Sequence, residues 1–158
     1  MARPSAKKPA HGLDRGVLPS LLGYVLRRTQ SAVFADFAAT FAQAGEALTP
    51  GEFGLLVLVE RNAGLSQMAL ARALGIDRST LVPILNRLQA RGLLVRRASP
   101  TDGRTHALAL TPAGAKALAR FARLVAGHEK RIAADLSAAE TRTLLELLDK
   151  VRAAARPL

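Results

Sequence analysis

The side chains best suited to moving a proton near neutral pH are the three histidines. They stand far apart, at His11, His106 and His128, with no metal-spaced cluster around them. The sequence has no cysteine, which removes disulfides, thiolate metal sites, cysteine nucleophiles and thiol redox sensing together. It also holds no glycine-rich phosphate loop and no nucleophile elbow. These features predict a protein that is not an enzyme and needs no cofactor or metal. The chemistry that is concentrated is cationic. Between Leu65 and His106 there are seven Arg against two Asp, inside a chain of 158 residues with a net charge of +11 and a pI near 11.5. The charge points to a polyanionic partner, either nucleic acid or an anionic membrane surface, with a merely solvated basic surface as the alternative.

The residues DRSTLVPILNR, 77–87, show what such a partner would meet. At 100° per residue, Leu81, Ile84, Leu85 and Leu88 fall inward. Ser79, Val82, Pro83 and Asn86 share the outward face, with Arg78 and Arg87 at its margins. A hydroxyl, an amide and small apolar groups suit the major groove, where Asn can read adenine and apolar groups touch thymine methyls. Ser66, Gln67 and Thr80 complete the candidate contacts from these helices. Arg96, Arg97 and Arg104 are candidates for phosphate or minor-groove contact, with Asp102 placed to orient the loop that carries Arg104.

These residues need elements to hold them, and helix starts are written in local chemistry. Residues 18 to about 44 have helical spacing, with Phe34, Phe37 and Phe41 on one stripe. Thr49-Pro50-Gly51-Glu52 is a capping box opening a helix to about Asn62. Ser66 caps a helix over 67–74 that Gly75 ends, and Asp77 caps the next, to about Arg91. Ala71 is the small residue and Gly75 the turn that a helix-turn-helix requires. After Gly92 the period drops to two: LLVRRA and RTHALAL flank SPTDG, a hairpin signal. Thr111-Pro112 and Ser137–Glu140 then start two further helices. The expected fold is mostly α with a small β-hairpin wing.

Pro83 is the sixth residue of its helix, so it has no N–H for the carbonyl of Ser79, at a cost of about 3 kcal/mol in a regular interior. A continuous helix bent near its start is expected. The alternative is a helix that begins only near Pro83.

The stretch DGRTHALALTPAG, with Asp102, Arg104, Leu110, Thr111 and Gly114 in the spacing D-x-R, five residues, L-T-x-x-G, resembles the wing of the MarR family of winged helix-turn-helix transcriptional regulators. The likeness covers about residues 18–155. It implies a homodimer on a palindromic operator, usually repression, and release by a small, often aromatic, anionic ligand. It carries the wing-arginine role to Arg104 and the recognition-helix role to 77–87, while Pro83 falls at a variable position of that helix. The organisation expected is a basic arm at 1–16, a DNA-binding winged helix-turn-helix at 49–110, and dimerisation helices in 17–48 and 111–155. Leu144, Leu145, Leu147, Leu148 and Val151 give the last helix more apolar width than a small core needs. Double-stranded DNA, a second copy of the chain and a small-molecule effector are therefore the expected partners. For the effector, Tyr24, Arg27, Arg28 and Phe53 are candidates, since a phenol and cations over an apolar floor suit a carboxylate or phosphate. The LRRTQ segment resembles regulators that respond to aromatic acids or their coenzyme A thioesters. With no apolar run long enough to span a membrane, a cytoplasmic location is expected. The competing reading is an architectural nucleoid-type protein that binds DNA by charge and shape, without a ligand response.

Overall fold

The computed structural model describes residues 13–62, 64–98 and 106–155, with the backbone alone at 97, 98 and 106. A 3-10 turn at Leu18–Ser20 precedes α1 (Leu22–Gln43), α2 (Pro50–Arg61), α3 (Gln67–Leu74) and α4 (Arg78–Ala90). The strands β1 (Leu94–Ala98) and β2 (His106–Leu110) follow, then α5 (Pro112–Ile132) and α6 (Ala138–Ala154). The first helix therefore does not start at Leu18 as expected. Pro19 sets up the 3-10 turn, and Leu21 is extended at φ −88°, ψ 118°, which interrupts the helical path before α1.

Local chemistry accounts for the other starts. Thr49 and Glu52 form the reciprocal capping box of α2, and Ser137 and Glu140 that of α6. Ser66, Asp77 and Thr111 each accept an N–H of the first turn that follows them. Gly75 closes α3 at φ 65°, a left-handed conformation that glycine adopts without the steric cost other residues meet. Helix α4 runs unbroken through Pro83, so the alternative of a late start is set aside.

Residues 34–155 hold one core. Leu55 and Leu56 of α2, Leu70 of α3, Leu81, Leu85 and Leu88 of α4 and Phe121 of α5 are each 0% exposed. Phe41 stacks on Phe37, with ring centroids 4.6 Å apart, and meets Phe121 at 5.6 Å. Phe34 departs from the expected stripe and stays 46% exposed.

The hairpin is antiparallel, with Leu94 opposite Leu110, Arg96 opposite Leu108 and Ala98 opposite His106. Alternation puts Leu94, Arg96, Leu108 and Leu110 on one face. Leu94 and Leu108 on that face are buried in the core. The joint from β2 into α5 is tight: Thr111 N donates to Leu93 O at 3.1 Å, and Thr111 Oγ1 donates to Gly92 O at 2.6 Å. A Cβ on Gly114 would lie 2.0 Å from the Leu93 carbonyl oxygen, so no side chain fits there.

Candidate nucleic-acid interface

Helix α4 is held from beneath and open above. Leu81, Leu85 and Leu88 anchor it, whereas Arg78, Ser79, Thr80, Pro83 and Asn86 are exposed and Val82 is half-buried. Its start is stiffened by Asp77, whose Oδ1 accepts from Ser79 Oγ at 2.6 Å and from Thr80 N at 2.7 Å. The Ser79 hydroxyl, followed by the Thr80 N–H, holds the Asp77 carboxyl below its ordinary range. Ser79 and Thr80 thus serve the cap while facing solvent.

Two arginines counted as interface candidates have protein partners. Arg87 Nε donates to Glu52 Oε1 at 3.2 Å. Glu52 is buried, and its Oε2 also accepts from Thr49 N at 2.9 Å, so one carboxylate joins the cap of α2 to α4. Arg87 is nonetheless exposed. Arg96 Nη2 donates to Asn86 Oδ1 at 2.9 Å, linking β1 to the open face of α4. On α3, Ser66 is occupied as the N-cap, with its Oγ 3.2 Å from Ala69 N, and Gln67 is half-buried. The side chain of Arg97, and Asp102 and Arg104 entirely, lie outside the described residues.

Of the effector candidates, Tyr24, Arg27 and Arg28 cluster on α1. Arg28 Nη1 lies 3.4 Å from the Tyr24 hydroxyl, and the guanidinium carbons of Arg27 and Arg28 sit 5.6 and 5.9 Å from the ring centroid. The hydrogen bond from Arg28, then the charges of Arg15, Arg28 and Arg27, lower the Tyr24 pKa against a smaller opposing effect of burial. Phe53, on α2, packs against the core of residues 34–155. A cavity of about 810 Å³ in residues 34–155 is lined by Phe41, Leu48, Glu46, Glu52, Arg87 and Arg91 among others. Its charges are already paired, Arg87 with Glu52 and Arg91 with Glu46.

One buried polar cluster joins α1 to α5. His128 is 1% exposed, its Nδ1 lies 2.6 Å from Asp36 Oδ2, and Arg131 Nη2 donates to the same oxygen at 3.0 Å. The hydrogen bond to His128, then that from Arg131, holds the Asp36 carboxyl below its ordinary range. Asp36 and His128 are 92 residues apart, and no local pattern marks the pair.

A family model described as MarR family matches residues 48–105. A protein of Thauera aromatica named for regulation of the hcr operon is 43% identical over 148 residues, covering 91% of this chain and 89% of its own length. The chain belongs to the MarR family. Among solved structures, the transcriptional repressor CouR bound to a 23-mer DNA duplex is 41% identical with a TM-score of 0.83, over 90% of this chain and 99% of that one. CouR bound to p-coumaroyl-CoA is 40% identical with a TM-score of 0.81, over 89% and 98%. The fold is therefore the winged helix-turn-helix of MarR-family proteins, in which α3 and α4 form the helix-turn-helix and β1–β2 the wing. The MarR-family relatives are transcriptional regulators, and so is this chain; it is not an enzyme. Among the described residues, no helix is long and apolar enough to cross a membrane.

Proposed function

We propose that this MarR-family chain is a cytoplasmic, homodimeric repressor of a palindromic operator, released by an aromatic acid or its coenzyme A thioester. The observation that carries the reading is the exposed face of α4 in a chain 41% identical to a repressor solved on a DNA duplex. Residues 49–110 hold the DNA. Arg78, Ser79, Thr80, Val82, Pro83 and Asn86 meet the major groove, and Ser66 and Gln67 meet the backbone beside it. Arg97 and Arg104 follow the flanks of the site, with Asp102 orienting the wing tip, and Arg96 reaches a phosphate from beside α4. Arg87 mainly fixes α4 through Glu52, leaving its outer N–H groups for a phosphate.

Residues 17–48 and 111–155 join two copies. No residue of α6 is buried, and Leu144, Leu145, Leu147 and Leu148 are 44%, 63%, 51% and 37% exposed, an apolar face that a second copy would cover. A two-fold pair sets its recognition helices about 34–36 Å apart, one DNA turn, or a multiple of that spacing. Arg27 and Arg28 around Tyr24 supply cations for the carboxylate or phosphates of a ligand, with Phe53 as the apolar candidate on α2. The p-coumaroyl-CoA bound by CouR supports the choice of ligand class.

Fluorescence anisotropy with the duplex upstream of its own and neighbouring genes, against random duplex, tests the reading. Specific binding should be tighter by on the order of 10³ or more at physiological salt. p-Coumaroyl-CoA or a related aromatic thioester or acid should release it, and coenzyme A alone should not. Equal affinity for both duplexes would favour the architectural protein instead.

A further inference from the structure

The bond between Asn86 and Arg96 constrains what the reading face can recognise. Arg96 stands on the same hairpin face as buried Leu94 and Leu108, so the packing that seats the wing also aims its guanidinium at α4. A guanidinium has five N–H donors and no acceptor, so the amide of Asn86 must turn its oxygen to Arg96. Its NH₂, with two donors, is left for an incoming base. Both residues are exposed, and the contact brings Arg96 beside the α4 face rather than leaving it out along the wing.

Resting on the reading that this face enters the major groove, we infer that Arg96 is a positioning residue that makes Asn86 a hydrogen-bond donor and so selects guanine at one position of each half-site. Guanine offers N7 and O6, two acceptors, to the two amide N–H groups. Thymine offers O4 alone and ranks second. Cytosine presents its N4 donor to a donor and is disfavoured. Adenine, the usual partner of an Asn, asks the amide to donate to N7 and accept from N6 together. Here one of that oxygen's two lone pairs already takes a guanidinium N–H from β1, and the cation weakens the other as an acceptor. The adenine preference expected from Asn86 alone is thereby weakened in favour of guanine.

Selection of binding sites from a randomised duplex pool by the full-length protein tests this, with Asn86→Ala, Asn86→Asp, Arg96→Ala and Arg96→Lys beside the parent. At the position whose preference Asn86→Ala erases, the parent should favour guanine over adenine by about tenfold. Arg96→Ala should move that preference toward adenine, and Arg96→Lys, which still donates, should keep guanine. Asn86→Asp keeps the contact to Arg96 as an ion pair but has no amide donors, so guanine preference should vanish in a folded chain. A parent preference for adenine there would overturn the inference. So would a uniform loss of affinity in Arg96→Ala with base preference unchanged; Arg96 would then act on phosphate alone while the α4 reading survives. If Asn86→Ala alters preference at no position, the α4 reading itself fails and takes this inference with it.

Discussion

In α4, Leu81, Leu85 and Leu88 are each 0% exposed, whereas in α6 Leu144, Leu145, Leu147 and Leu148 keep 37–63% of their surface open. Both helices start from a side-chain cap and carry leucines at helical spacing. Amphipathic spacing therefore announces that a face will be covered without saying what covers it. The chain itself covers α4 and sets its orientation before any ligand arrives. The leucines of α6 stay open, and in the proposed function a second copy covers them.

Leu81→Ala should break the first half of this comparison with the largest effect. It opens a cavity beneath the reading face and should lower stability by roughly 2–5 kcal/mol, measured by urea unfolding. A loss below about 0.5 kcal/mol would mean that α4 is not anchored by its own chain. Leu145→Ala addresses the second half. Dimerisation followed by sedimentation should weaken about tenfold, with little change in the far-ultraviolet helix signal. A dimer indifferent to both Leu145→Ala and Leu148→Ala would place the interface on another face. Pro83→Ala sharpens the contrast with the smallest effect. By restoring the N–H for Ser79 O, it should stabilise the chain by about 1 kcal/mol while changing operator affinity. No gain in stability would show that the proline costs this helix nothing.

Features settled within one turn of chain were legible in the sequence. Thr49 with Glu52, Ser66, Gly75, Asp77, Thr111 and Ser137 with Glu140 mark helix ends because each cap satisfies a backbone group three or four residues away. The inward leucines of α4 followed from period alone. Contacts made by bringing distant elements together were not legible. Spacing marks Glu52 as a cap, yet it also holds Arg87 from 35 residues away. The helical wheel puts Asn86 on the outward face, yet its oxygen accepts from Arg96. His128 stands far from the other histidines in sequence, yet it lies buried against Asp36. Phe34 followed the aromatic stripe in spacing but not in burial, because periodicity assigns a face and not the width of the groove that receives it.

The wing signature that this chain shares with the MarR family ends in Gly114. That glycine faces the carbonyl of Leu93, with no room for even a methyl group. Nothing about it concerns bases, phosphates or effectors. It marks a carpentry joint between hairpin and helix, which the fold needs whatever base sequence the chain reads. What distinguishes one such chain from the next has to be sought on the open side of α4, where the signature is silent.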